Sequence, residues 1–438
     1  MKPKILNNVR IVDPSSSADF VGSVVIEKGR IKEINEGTEV NKDSTEYEVY
    51  NLEGKVLAPG FIDMHVHLRE PGFEAKETIE SGTKAAVKGG FTSVCAMPNT
   101  DPPADKAATV KYIIEKAKEA DNCHVLPIGC ITKERKGEKI AEYGELKESG
   151  VVGLSDDGDT VMNSLVMRRS LEYAKNYDLP VLTHCEDEAL VSKGQINEGY
   201  YSTILGLKGM PNEAEDIIVD RDIKLAALTG ARLHICHIST REGVELIRKA
   251  KDKGLLVTAE VCPHHFSLTH EAVVSFDTST KVKPPLRSED DVEAIIEGLK
   301  DGIFDIIASD HAPHARHEKE VEYDYAPFGI SGIETALPVT FTYLYHQKSL
   351  SLEQIIEKYT VNPAKALGLN IPSIEVGAVA DLTVIDLDET KEVIKEDLTS
   401  IGKNNPYIGK ELKGWPVMTM VEGEIKYIDE EVNKNAKD

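Results

Sequence analysis

Hydrophobic positions along the chain fall into two textures. From Ile5 to about Leu57 they form short strand-like runs: ILNNVRIV, then VGSVVIEKGRIKEI broken by a turn at Lys28-Gly29, then YEVYNLEGKVLAPG. No long helical period intervenes, which predicts a small β unit. The same texture returns in ADLTVIDL (380–387) and PVMTMVEGEIKYI (416–428), so the two ends of the chain are expected to pair into one β-sandwich. Asp429 to Asp438 reads as a polar tail.

Between the ends, eight apolar runs alternate with segments of helical spacing. The runs are FIDMHVHL (61–68), FTSVCAMP (91–98), HVLPIGCI (124–131), VVGLSDDG (151–158), LPVLTHCE (179–186), RLHICHIS (232–239), LLVTAEVC (255–262) and FDIIASDHA (304–312). Helical spacing is clearest over Asp105 to Ala120, Ser164 to Tyr177 and Arg241 to Lys253. This βαβα order predicts a parallel sheet with crossover helices, and eight units over about 250 residues match a (β/α)8 barrel. An open doubly wound sheet would need a glycine-rich phosphate loop, and neither GxGxxG nor GxxxxGK[ST] occurs. The expected organisation is a β segment at 1–57, a barrel at 58–375, a second β segment at 376–428 and a tail at 429–438.

Composition narrows the partners. With 438 residues, 41% apolar and 29% charged, the chain can bury a sizeable core. Its 51 basic and 75 acidic residues leave a net charge of −24, which repels nucleic-acid backbones and anionic lipid. An anionic substrate would therefore need a strong local positive centre. The opening MKPKILNNVRIV lacks the apolar core of a signal peptide, and no run approaches the roughly 18 apolar residues of a membrane span, so a cytoplasmic protein is expected. Six cysteines without a CxxC pair read as buried, reduced thiols.

Candidate chemistry sits where the strand-like runs end. His65 and His67 are two residues apart, share one face of a strand, and can enter a barrel mouth together to bind one metal ion. Other runs end in matching ligand types: Asp157 after the fourth, His184 in the fifth, His237 in the sixth and Asp310 in the eighth. Barrel enzymes take their catalytic residues from this rim, and imidazole with carboxylate suits zinc. His264 and His265 lie on the same rim, with a role beside the ligands open to them, whereas His124, His234 and His346 read as packing or surface groups.

Together PGFIDMHVHLREPG, GGFTSVCAMPNT, LSDDGDTVM, THCED, HICHIST, PPLR, ASDHAPH and PFGISGIETALP resemble the class I dihydroorotases of the amidohydrolase superfamily. The resemblance implies zinc-dependent, reversible cyclisation of N-carbamoyl-L-aspartate to dihydroorotate, the third step of pyrimidine synthesis. It places His65, His67 and Asp310 on one zinc and His184 and His237 on another. Asp157 and a hydroxide or water would bridge the two ions, with Asp157 favoured over its neighbour Asp156. Many relatives bridge their metals with a carboxylated lysine; GLSDDGD has none and fits the aspartate-bridged subgroup.

Asp310 would shuttle the proton, and His67 and Arg69 would face the substrate, Arg69 gripping its carboxylate. Asn99, His314 and the backbone of Phe328 and Gly329 would complete the contacts. Lys283 departs from the pattern, since relatives commonly carry asparagine before PPLR. The stretch His314 to Gly332 is the candidate lid. A homodimer and association with aspartate carbamoyltransferase are also implied. Two other readings stand beside this one. The first is a hydantoinase, dihydropyrimidinase or allantoinase, which usually carry the lysine bridge and lack the arginine. The second is a silent scaffold subunit for the transferase, which would have lost metal ligands that are all present here.

Overall fold

Strands β1 (Lys4–Asp13), β2 (Ala18–Glu27), β3 (Arg30–Glu36), β4 (Glu48–Asn51) and β5 (Val56–Pro59) come from the amino-terminal segment, in a computed structural model that describes residues 2–37, 39–40 and 45–435. Lys28 and Gly29 join β2 to β3 with φ of 51° and 77°. Positive φ at both centre positions is what a tight hairpin turn demands. A Cβ on Gly29 would also meet the Glu422 carbonyl oxygen at 2.8 Å, so glycine is required twice over.

The barrel strands follow: β6 (Phe61–Val66), β7 (Phe91–Ala96), β8 (His124–Gly129), β9 (Gly153–Leu154) and β10 (Val181–Thr183). A separate two-stranded ribbon, β11 (Ile196–Asn197) with β12 (Gly209–Met210), interrupts them. The barrel then resumes with β13 (Leu233–Ile235), β14 (Val257–Val261) and β15 (Ile306–Ile307). These eight strands form one parallel sheet in the order β15-β14-β13-β10-β9-β8-β7-β6. A parallel bridge between Val66 and His311 brings the first and last staves together, with the His67 amide donating to the His311 carbonyl at 2.9 Å. Helices start where the sequence offers caps. Asn163 Oδ1 accepts from the Leu165 and Val166 amides at the head of Ser164–Ala174, and Thr240 and Ser288 do the same for Arg241–Asp252 and Glu289–Lys300.

β16 (Leu382–Glu392), β17 (Glu411–Val421) and β18 (Glu424–Ile428) return to the amino-terminal strands. The result is a single eight-stranded sheet, β18-β17-β16-β5-β1-β2-β3 with β4 on β1, holding its own apolar core of Leu6, Val9, Ile11, Val24, Leu382 and Met418. The carboxy-terminal stretch is not purely polar. Glu430–Asn435 is a helix that buries Val432 in this core, while 436–438 lie outside the described residues. No helix among the described residues is long and apolar enough to cross a membrane. All six cysteines are free and buried.

His124, at the start of β8, ties barrel to sheet by a 3.0 Å bond from Nε2 to Asp381 Oδ2. The Asp381 hydrogen bond raises the His124 pKa above its ordinary value, against the opposing effect of burial. A raised folded-state pKa means that the pair's contribution is complete below about pH 6.5 and is lost as pH rises through the folded value. The side chain is 36% exposed, so the effect stays under about 1 kcal/mol. His124→Gln is expected to lower the urea midpoint at pH 5.5 and to leave it nearly unchanged at pH 9; equal losses at both would contradict the ion pair.

Candidate active site

Five strand ends carry the six predicted side chains to one point. His65 stands one residue before the end of β6 and His67 one beyond it; Asp157, His184, His237 and Asp310 follow β9, β10, β13 and β15. All six are buried. The carboxylate of Asp157 lies at the centre. It is 3.3 Å from His65 Nε2, 3.4 Å from His67 Nε2, 3.6 Å from His184 Nδ1 and 3.4 Å from His237 Nε2. Asp310 Oδ1 stands 3.1 Å from His67 Nε2 and 3.5 Å from His65 Nε2.

Asp156 turns the other way, accepting from the Thr132 amide at 3.0 Å and from the Thr132 hydroxyl. Beyond the end of β9 the chain bends, and these neighbouring carboxylates take different partners. His237, Asp310 and Arg69 hold φ of 33°, 45° and 62°, left-handed values that non-glycine residues adopt at a cost and only where the surroundings enforce them.

The outer nitrogens of the histidines are tied down. His65 Nδ1 bonds Glu260 Oε1 at 2.7 Å and His67 Nδ1 bonds Asn99 Oδ1 at 2.8 Å, so Nε2 is the nitrogen that each ring turns inward. Glu260 in turn meets His234 Nε2 at 3.0 Å, and His234 Nδ1 meets Thr258 at 2.9 Å. His184 Nε2 faces Glu186 Oε2 at 3.5 Å, and the other oxygen of Glu186 lies 2.7 Å from Lys283 Nζ. Burial opposes ionisation of all three carboxylates here. Even so, His65 and the other histidines hold Asp157 well below the usual range, keep Asp310 near 2, and with His234 keep Glu260 low.

His65 Nε2, Asp157 Oδ1 and His237 Nδ1 are nevertheless buried with no hydrogen-bond partner, and His184 Nδ1 and His237 Nε2 crowd together 2.9 Å apart. Orphaned polar atoms at this depth are costly unless something binds them. The His65-His67-Asp310 and His65-Asp157-His237 sets each offer three ligand atoms within 4.8 Å, a donor set that fits a metal ion.

Above this cluster opens a cavity of about 330 Å³. Every residue expected to face substrate lines it: His67, Arg69, Asn99, Lys283, His314, Phe328 and Gly329. Arg69 Nε donates to the Pro313 carbonyl at 3.2 Å, leaving two terminal nitrogens for a ligand. Burial pulls its pKa down to about 10, still cationic at neutral pH. Glu70 is engaged with Tyr112 and the Ile79 amide instead of Arg69. Three expectations are refined. Lys283 is paired to Glu186. His314 is held neutral, its pKa near 2, by burial and the charge of Arg69, and its Nε2 donates to the Phe328 carbonyl at 2.8 Å. His234, read as packing, belongs to the chain of bonds that holds His65.

Residues 56–426 match the model of the amidohydrolase family. Curated relatives include the dihydroorotases of Thermoanaerobacter sp. (strain X514), 49% identical over 97% of both chains, and of Carboxydothermus hydrogenoformans, 50% identical over 92% of this chain and 93% of that one. Among solved structures, the L-hydantoinase (dihydropyrimidinase) of Arthrobacter aurescens superposes with a TM-score of 0.87 over 98% of this chain and 96% of its own, at 24% identity, a likeness of fold alone. The chain thus belongs to the amidohydrolase family and, within it, to the group of the dihydroorotases.

Proposed function

We propose that this chain catalyses the reversible cyclisation of N-carbamoyl-L-aspartate to (S)-dihydroorotate and water. One observation carries the reading: a half-buried arginine shares a single cavity with His67, His184, His237 and two aspartates, with the fully buried His65 beneath them. With zinc held by these ligands, the site and Arg69 together would supply the local positive centre that a dianionic substrate needs inside a protein of net charge −24. The 49% identity to a curated dihydroorotase over 97% of both chains supports it.

His65, His67 and Asp310 would hold one zinc ion, His184 and His237 the second, and Asp157 would touch both. Zinc bound there supplies a Lewis acid for the scissile carbonyl and water activated at neutral pH. Asp310 is the proton carrier. In ring opening its carboxylate takes a proton from the attacking water and hands it to the departing nitrogen; in cyclisation it takes the proton of the ureido nitrogen as that nitrogen bonds to the carboxyl carbon and hands it to the departing oxygen, which leaves as water. Its low pKa keeps it ionised, as a base must be, and its place 3.1 Å from His67 Nε2 fixes its direction.

Asn99 orients His67 through Nδ1, and Arg69 grips the substrate carboxylate with its two terminal nitrogens. Arg69→Lys keeps the charge and loses the fork, so KM for dihydroorotate is expected to rise about 10- to 100-fold with a smaller change in kcat. Unchanged steady-state kinetics would remove Arg69 from the site. Glu260→Gln leaves His65 without its anionic partner, and zinc affinity measured by chelator competition is expected to fall about 10- to 100-fold.

The reading is tested by assaying purified protein with dihydroorotate, hydantoin and allantoin before and after chelation. Ring opening of dihydroorotate, abolished by chelation and restored by Zn²⁺, is expected. Preference for hydantoin or allantoin, or activity that survives full chelation, would overturn it.

A further inference from the structure

Two lysines that the proposed reaction does not use are buried beside the cavity. Lys281 and Lys319 are 2% and 8% exposed, and each ammonium is held by main-chain carbonyls. Lys281 Nζ donates to the Tyr323 carbonyl at 2.7 Å and the Asp324 carbonyl at 3.1 Å. Lys319 Nζ donates to the Pro327 carbonyl at 2.7 Å and, across to the neighbouring segment, to the Thr278 carbonyl at 3.0 Å. Bonds also run back: Thr278 Oγ1 donates to the Lys319 carbonyl at 2.6 Å, and the Gly329 amide to the Lys281 carbonyl at 2.8 Å. Lys281 Nζ lies 4.8 Å from the centre of the Phe328 ring and 5.5 Å from that of Tyr323, within cation–π range of both.

Burying two ammonium groups on carbonyls is expensive, and burial pulls their pKa values down to about 8 for Lys281 and 7 for Lys319. What the arrangement gains is rigidity at one place. An ammonium offers three donors from a single atom, so it gathers carbonyls of an irregular loop that no strand or helix could pair. The loop so gathered carries Pro327, Phe328 and Gly329, which line the cavity. Most polar groups of the Phe328–Gly329 pair are occupied. The Phe328 carbonyl accepts from His314, the Gly329 carbonyl accepts from Asn404 Nδ2 at 2.9 Å, and the Gly329 amide is bound to Lys281. The Phe328 amide is the donor left over.

We propose that Lys281, seconded by Lys319, is a positioning residue: it locks the Phe328–Gly329 segment so that the Phe328 N–H donates to an acceptor oxygen of the bound ring. The proposal rests on the dihydroorotase reading for the identity of the ring, while the locking of the loop stands apart from it.

The experiment compares wild type with Lys281→Met, Lys281→Arg and Lys319→Met, reading kcat and KM for dihydroorotate and amide hydrogen exchange over residues 321–329. Lys281→Met is expected to raise KM about 10-fold or more with kcat within about threefold, and to speed exchange in that loop. Lys281→Arg, which keeps a cation, recovers most of both. Lys319→Met moves both readouts the same way by less, and decides the matter should Lys281→Met not fold. Unchanged KM with unchanged exchange overturns the proposal. A fall in kcat and melting temperature at constant KM overturns it too, since that marks a merely structural lysine. Faster exchange at constant KM refutes the Phe328 contact. If wild type fails to turn over dihydroorotate, the functional reading falls, while the exchange data still decide the lock.

Discussion

Asp310→Asn is expected to retain substrate binding within a few-fold and to lose turnover by about three orders of magnitude, the usual scale for removing a proton-transfer group. The substitution is nearly isosteric, so the geometry against His67 Nε2 at 3.1 Å and His65 Nε2 at 3.5 Å has little reason to change. Arg69 and the cavity lining are untouched. What disappears is basicity, because an amide oxygen accepts a hydrogen bond but does not take up the proton. Asp310 also offers a ligand atom alongside His65 and His67, so metal content has to be measured on the same sample. Loss of kcat with zinc retained and KM near wild type supports the proton carrier. Near-native kcat would refute it, and loss in step with zinc would reassign Asp310 as a ligand without a proton role.

The six central side chains were legible because the signal is local and periodic. His65 and His67 share parity along one strand, and each of the other four follows an apolar run that had to be a stave. Stave lengths were less legible. The runs at 151–158 and 304–312 form continuous strand only over Gly153–Leu154 and Ile306–Ile307, with His311 adding an isolated bridge to Val66, because the residues beyond bend into the mouth to deliver Asp157 and Asp310. Apolar composition cannot separate a buried stave from a buried loop that continues it.

Groups that support the ligands were harder still. Glu260 lies outside every motif, and although His234 and Glu186 fall within HICHIST and THCED, nothing there shows what they touch; the contact between Glu260 and His65 spans 195 positions. A buried glutamate in TAEVC, within a strand that must face other residues on both sides, was the one available hint that a cation or an imidazole waited opposite it. The β11–β12 ribbon was invisible for a different reason: two-residue strands have no periodicity to read.

Asp157→Asn should be the most damaging change of all when set against Asp156→Asn, its neighbour of identical chemistry. Asp157 stands within 3.6 Å of a nitrogen from each of four histidines, and one of its oxygens has no hydrogen bond. An amide there presents one weak oxygen and one N–H₂ in place of two anionic oxygens, and it removes the charge that would balance the two ions proposed to bind there. On the proposed two-zinc reading, metal content is expected to fall from two ions per chain toward one or none, and turnover by a factor of 10³ or more, on the order of 4 kcal/mol. Asp156 is equally buried, but its oxygens serve Thr132 and face no histidine, so an amide there disturbs that contact alone. Asp156→Asn is expected to keep both metals and kcat within a few-fold while costing about 1 kcal/mol of stability through the altered Thr132 contact. Metal analysis and kinetics on the two variants separate the cases. A metal-depleted Asp156→Asn beside a metal-replete Asp157→Asn would mean that the wrong carboxylate has been placed between the ions, whereas the expected order ties metal binding to the face of the chain and not to the number of aspartates in GLSDDGD.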